Sequence, residues 1–251
     1  MYEIILFGGT SEGRELAGLL NEKNISALVC TATEYGGELV NITSPLVKLS
    51  TRRLCLAEIR ALLTKETPRL VLDATHPYAA DVTKNLRTAC EETKTKYLRV
   101  LRQSLPAAGC TIAEDMNELV ALLNTREGII FSALGAKAAA SLTGVSDYKS
   151  RVFLRILPQP EALSTCLALG YPAGHIVCMQ GPFSQSLNRA MLESSGAFIL
   201  VTKESGSDGG FEEKLNAARE LGLEIIVLRR PKELGGLTLA EAKAIIGEHR
   251  K

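Results

Sequence analysis

The sequence predicts two doubly wound α/β domains, each built on a parallel sheet, and three observations carry that expectation. Short apolar runs alternate with amphipathic stretches along nearly the whole chain. Most runs are apolar throughout rather than at every second residue, the pattern of strands buried on both faces. The rhythm breaks once, at "QSLPAAGC" (103–110), and then resumes. These place one domain over residues 1–102 and a second over 103–251. One continuous sheet is the competing architecture.

Taken in order, "YEIILF" (2–7) is a β-branched and aliphatic strand. It is followed by "SEGRELAGLLNEK" (11–23), whose Leu16, Leu19 and Leu20 share one helical face. "ISALVCT" (25–31) and "PLVKL" (45–49) are the next strands, and "CLAEIRALLTKE" (55–66) is a helix. "RLVLDAT" (69–75) is the fourth strand, "PYAADVTKNLRTACEETK" (77–94) a long helix and "YLRVLR" (97–102) a strand. Strand, helix and strand at this spacing mean right-handed crossovers. Beyond the break, "GIIFSAL" (128–134), "RVFLRIL" (151–157), "HIVCMQ" (175–180), "AFILVT" (197–202) and "EIIVLRR" (224–230) are strands. Helices lie between the first two of these strands, over 160–168, after "GPFS" (181–184), across "FEEKLNAARELG" (211–222) and from Leu237. Ligands of such sheets sit beyond the carboxyl ends of the strands, so chemistry is expected in the loops that follow them.

Bulk composition narrows the function classes. Lys plus Arg number 29 against 28 acids, a net charge of +1, so no overall field favours nucleic acid or membrane. The cysteines form no CxxC pair, and with three histidines in 251 residues a His/Cys metal site is not expected. No apolar stretch nears the ~20 residues of a membrane span. Glu3 and a short first strand argue against an export signal, so the chain reads as cytoplasmic.

The first strand runs into Gly8, Gly9, Thr10, Ser11, Glu12 and Gly13. This fits the dinucleotide fingerprint at its first and third glycines, with Thr10 where the second would stand. Gly8 permits the tight turn and Gly13 a close approach of helix to sheet. The Thr10 hydroxyl can bond a phosphate oxygen, and the amide end of the helix attracts an anion. Ser11 serves equally well as the helix cap. A Walker lysine is missing, which disfavours nucleoside triphosphate hydrolysis. The second strand ends on Thr31 and Thr33 without the acid that binds the ribose of NAD, which favours NADPH, with Arg52 or Arg53 as distant counter-charges. Plain turn chemistry explains both threonines as well.

"DATHPYAA" (73–80) ends the fourth strand. Pro77 pushes His76 out of helical geometry and can itself take the first helical position, which puts Thr75, His76 and Tyr78 on the rim of the sheet. Asp73 sits just inside, where it braces neighbouring loops. In the second domain "SALGAK", "MQGPFS" and "VTKESGSDGG" sit at strand ends. Lys203 leaves a buried strand beside Ser205, and a solvated loop lysine is its bland reading. Ser184 opens a helix as its cap or beside an anion.

The ordered set "GGTSEGRELA", "ATEYGGEL", "DATHPYAA", "QGPFS", "VTKESG", "KLNAARELG" and "VLRRP" resembles the precorrin-6A and cobalt-precorrin-6A reductase family of corrin-ring biosynthesis, over nearly the whole chain. "KESGSDGG" departs from the family's shorter Ser-Gly-Gly form. The resemblance implies two Rossmann-like domains with an active-site cleft between them, holding NADPH and a tetrapyrrole-derived small molecule. Hydride then passes to one carbon–carbon double bond of the ring. It implies that Gly8, Gly9, Thr10, Ser11, Glu12 and Arg14 contact the pyrophosphate, Thr31, Thr33, Tyr35 and Gly36 the adenosine ribose, and Thr75, His76 and Pro77 the nicotinamide. Tyr78, Gly181, Pro182, Phe183, Ser184, Lys203 and Ser205 are implied to contact the ring. His76, Tyr78 and Lys203 are the catalytic candidates as proton sources, with water a fourth. Transient contact with neighbouring pathway enzymes is left open, and so is the presence of cobalt in the ring. A nucleotide-sugar glycosyltransferase and a non-catalytic NADP(H)-binding redox sensor are the rival functions, because fold does not dictate chemistry.

Overall fold

Four buried residues in a row, Ile4–Phe7, form β1 at the centre of the first sheet. The computed structural model describes residues 1–101, 108–204, 210–230 and 235–247. In chain order β1 is followed by α1 (Ser11–Glu22), β2 (Ala27–Cys30), α2 (Glu34–Glu38), β3 (Val47–Ser50), α3 (Leu56–Glu66), β4 (Leu70–Asp73), α4 (Ala80–Glu92) and β5 (Lys96–Arg99). The strands pair in parallel in the order β3-β2-β1-β4-β5. Side chains alternate across a strand, and both faces here are covered. Ile4, Leu6, Ala27, Val29, Leu70 and Leu72 meet Leu16, Ala17 and Leu20 of α1. Ile5, Phe7, Leu28, Cys30 and Val71 meet Ile59 and Leu63 of α3 and Leu86, Ala89 and Cys90 of α4. That is why the runs read as continuously apolar. Each fully buried Leu or Ile contributes about 1.5–3 kcal/mol.

The second unit runs β6 (Thr111–Ala113), α5 (Met116–Asn124), β7 (Ile129–Ser132), α6 (Ala139–Leu142), α7 (Tyr148–Arg151), β8 (Val152–Ile156), α8 (Pro160–Ala168), β9 (Ile176–Cys178), α9 (Gln185–Ser194), β10 (Ala197–Lys203), α10 (Phe211–Glu220) and β11 (Glu224–Leu228). Its parallel sheet has the order β6-β11-β10-β7-β8-β9. Phe131, Leu200, Ile225 and Val227 pack on Leu192 of α9 and on Phe211, Leu215, Ala217 and Ala218 of α10. The edge strand β6 and α5 were not expected from sequence. "TIA" is too short to stand out, whereas Asp115 caps α5 by accepting from the amides of Asn117 and Glu118.

The chain then returns to the first unit, which comprises Met1–Gln103 and Pro231–Lys251, the second being Ser104–Arg230. Leu237 bridges Val100 in parallel, and α11 (Leu239–Gly247) lays Ala242 and Ile246 into the core beside α1. The expectation that residues 103–251 form one domain is therefore corrected at its far end. The apolar stripe of α11 has a non-local partner that its own sequence does not name.

Candidate active site

In the first sheet the chain moves outward from β1 through β2 to β3, then restarts on the other side of β1 with β4. The loops after β1 and β4 leave the sheet at this switch point, the place where such sheets bind their ligands. Gly9 has φ +135°, and a Cβ there would meet no atom within 4 Å, so this backbone stands against open space. At Gly13 a Cβ would come within 3.0 Å of Gly8 Cα and 3.5 Å of Ala74, so glycine is what lets α1 start against both loops. Thr10 is the cap of α1: its hydroxyl accepts from the Gly13 amide at 3.2 Å and donates to the Ala74 carbonyl at 2.9 Å. The proton of this hydroxyl goes to Ala74 here, so a phosphate bond from it requires that bond to be exchanged. Ser11, the alternative cap, is the first helical residue, and its hydroxyl donates to Glu12 at 3.1 Å. Glu12 and Arg14 follow on the same first turns, half-buried.

The loop after β2 lies beside this turn, for the Gly8 amide donates to the Cys30 carbonyl at 2.8 Å. Thr31 is buried and donates to the Thr33 carbonyl at 3.1 Å, while Thr33 caps α2 by accepting from Gly36. Turn chemistry thus occupies both hydroxyl groups. Tyr35 is exposed, and Gly36 packs on Thr33 and Thr31. Arg52 is engaged by Glu58 at 2.8 Å, and Arg53 is exposed.

After β4 the Ala79 amide donates to the His76 carbonyl at 2.8 Å, so Pro77 and Tyr78 are the central pair of a β-turn and α4 begins at Ala80. The expectation of Pro77 as first helical residue is corrected. Its fixed φ serves the second position of a turn equally well. The His76 Nδ1 accepts from the Tyr78 amide at 3.3 Å, and the two rings are 5.6 Å apart. Beneath them Asp73, wholly buried, braces the loop as expected. Its Oδ1 accepts from the Thr75 amide and hydroxyl and from Arg99, at 3.0, 2.7 and 2.7 Å. Its Oδ2 accepts from Thr83 at 2.9 Å and Tyr97 at 2.7 Å. Burial, and then the Asp73 charge, hold the Tyr97 phenol well above its ordinary value.

The second sheet has its own switch point between β7 and β10. Lys203 ends β10, and its ammonium donates to the Leu134 carbonyl in the loop after β7 at 3.4 Å, so it is not a solvated loop lysine. Burial, aided by the charge of Lys137, lowers its proton affinity. Arg155, buried at the end of β8, donates to Asn188 at 2.7 Å and lies 4.4 Å over the Phe183 ring. Burial brings it down to about 10. Asn188 in turn donates to the Phe183 and Ser184 carbonyls and so shapes the Gly181–Pro182–Phe183–Ser184 segment, where Ser184 caps α9. Lys214 of α10 is pushed down to about 7 by burial first, then by the charges of Arg155 and Lys203, against the pull of Glu213. Partly dehydrated cations that act on one another suit carboxylates.

The structure therefore brings Gly8–Arg14, Thr31 and Thr75 together on the first unit; on the second, Lys203 and Arg155 each act on Lys214, and Arg155 lies over Phe183. Ser205 lies outside the described residues. Sequence reasoning missed Tyr97, Thr83, Arg99, Arg155, Asn188 and Lys214. For Lys214 a signal existed: it falls on the stripe Phe211, Lys214, Leu215, Ala218, all buried. Among the described residues no helix is long and apolar enough to cross a membrane, and no acid, His and Cys group is placed to hold a metal.

Residues 3–247 match the family described as precorrin-6x reductase CbiJ/CobK. The chain is 30% identical to the cobalt-precorrin-6A reductase of Priestia megaterium, over 91% of each protein. It is 34% identical to that of Methanothermobacter thermautotrophicus, over 91% of this chain and 76% of the relative. It is also 30% identical to the precorrin-6A reductase of Rhodobacter capsulatus, over 92% and 89%. The solved structure of a CobK precorrin-6A reductase superposes with a TM-score of 0.74 at 25% identity, covering 100% of this chain and 98% of that one. With two parallel-sheet units and a match spanning nearly its full length, this chain belongs to the precorrin-6x reductase CbiJ/CobK family.

Proposed function

We propose that this chain reduces one carbon–carbon double bond of the precorrin-6A macrocycle, metal-free or cobalt-bearing, with hydride from NADPH. The names of its relatives support the substrate class. The observation that carries the reading is the contrast between the two carboxyl edges. One offers open backbone at Gly9 and the amide end of α1, suited to a diphosphate. The other offers Arg155, Lys203 and Lys214, suited to a ring bearing many carboxylates.

In this reading the first unit is the cofactor domain and the second the substrate domain. The backbone of Gly8, Gly9, Thr10, Ser11 and Glu12, with Arg14, holds the pyrophosphate; Thr31, Thr33, Tyr35 and Gly36 flank the ribose; Thr75, His76 and Pro77 orient the nicotinamide. Tyr78, Gly181, Pro182, Phe183, Ser184, Lys203 and Ser205 take the macrocycle, joined by Arg155 and Lys214. NADPH is preferred over NADH because Thr31, directly after β2, and the residues up to Thr33 carry no carboxylate to repel a 2′-phosphate. NADPH supplies the hydride, and transfer needs donor and acceptor carbons within roughly 3.5 Å. His76, Tyr78 and Lys203 are the candidate proton sources. The test is an anaerobic assay with metal-free and cobalt-loaded substrate side by side. NADPH absorbance should fall steadily with one of them. Protein that binds NADPH but oxidises none with either substrate is not this reductase. Binding of a UDP-sugar in place of NADPH would point to glycosyl transfer.

A further inference from the structure

We infer that Asp73, held by Arg99, is a positioning residue for this reduction: it presets the loop from Ala74 to Ala79 before any ligand arrives. The inference rests on the reading that this loop orients the nicotinamide. Asp73 and Arg99 are register partners on adjacent parallel strands, 0% and 3% exposed by side chain, with 2.7 Å between charged atoms. Taking both charges out of water is costly, and an apolar pair at that register would stabilise the sheet as well or better. The preceding residues of β4, Leu70–Leu72, are apolar, so the charge appears only where the strand meets its loop.

What the carboxylate does there is tie separate elements to one point. Oδ1 takes the amide and hydroxyl of Thr75, the entry to the loop, together with Arg99 from β5. Oδ2 takes Thr83 from the first turn of α4, the exit of the loop, together with Tyr97 from β5. Arg99 also donates to the Asp73 carbonyl at 3.2 Å and the Thr75 hydroxyl at 3.1 Å. Just before Thr75, the Ala74 carbonyl is held by Thr10, the cap of α1. The loop after β4 is thus fixed at both ends and stitched to the glycine turn, so the two loops hold one geometry. Small misplacement is enough to slow a transfer that depends on alignment.

The double variant Tyr97→Phe with Thr83→Val removes both donors to Oδ2, keeps the ion pair and changes side-chain volume little. Expected is a fall in kcat of about 10- to 100-fold. Affinity for the adenosine half, probed with 2′-phospho-ADP-ribose, should stay within about twofold of wild type, a split that general destabilisation would not produce. In the ligand-free variant, amide hydrogen exchange across 74–79 should quicken. Unchanged kcat, or kcat and adenosine-half affinity falling together, overturns the inference. Unchanged exchange overturns it as well. Because exchange is read without cofactor, it decides the clamp even if wild-type protein oxidises no NADPH, a result that would defeat the proposed function instead.

Discussion

Lys214→Met should make the protein more stable and a worse binder of its substrate. Lys214 is 7% exposed on α10, and its ammonium falls from the ordinary 10.5 to about 7, through burial first and then through Arg155 and Lys203. At 1.36 kcal/mol per pH unit that drop is about 5 kcal/mol of preference for the neutral amine. At pH 7 the unfolded lysine is fully charged, so roughly 4 kcal/mol of this acts against folding. The unfolded chain binds more protons than the folded one between about pH 7 and 10.5, so stability rises with pH across that window. Methionine has a similar reach and no charge to dehydrate. In thermal unfolding at pH 7 the midpoint of the second unit should therefore rise, by roughly 10 °C for a domain of this size. At pH 10, where the folded lysine is already neutral, the gain should shrink to about 1 kcal/mol. A midpoint lowered or unchanged at pH 7, or a gain equal at both pH values, would refute the reasoning. Weaker substrate binding should accompany the gain if, as proposed, this cation meets the carboxylates of the macrocycle.

The two glycines of α1 should respond in opposite directions. Gly18→Ala, with no atom within 4 Å, should stabilise by up to about 1 kcal/mol in urea unfolding. Gly13→Ala, which meets Gly8 Cα at 3.0 Å, should cost about 1–3 kcal/mol and weaken NADPH binding; equal effects would remove the close approach as the reason for glycine. Substrate carboxylates beside Lys214 should raise its proton affinity, so binding above pH 7 should take up protons and weaken as pH rises. Calorimetry in buffers of different ionisation enthalpy reads this directly, and zero uptake would count against the lysine's contact with substrate. Cys30 and Cys90, both held up at about 12 by burial, should resist a thiol reagent at pH 8 in native protein, whereas exposed Cys55 and Cys178 should label. Mass mapping that finds Cys30 labelled first would be inconsistent with the first unit's packing.

The layered fold was legible because strands covered on both faces must be apolar at every position, and Ile4–Phe7 and Leu70–Leu72 are. The glycine turn was legible for the same local reason, since Gly13 has to pack on the turn before it. What escaped was whatever depends on a distant partner. Asp73 read as a brace, yet nothing local says that Arg99 and Tyr97 complete it, because that pairing is a matter of strand register. Thr10 and Ser11 are equally good caps on paper, and the carbonyl of Ala74, 64 residues away in sequence, selects Thr10. Lys214 shares a helical stripe with Phe211, Leu215 and Ala218, but only the packing of α10 on its sheet shows a charge buried there. The return of α11 to the first unit depends on an apolar face that α1 and its strands leave to be covered.

The most direct measurement is a crystal structure of the protein soaked with NADP⁺. The diphosphate should lie against the backbone of Gly8–Gly13, with the nicotinamide toward Thr75 and His76. Density for the nucleotide on the second sheet, with the glycine turn bare, would contradict the assignment of the cofactor to the first unit and the hydride path built on it.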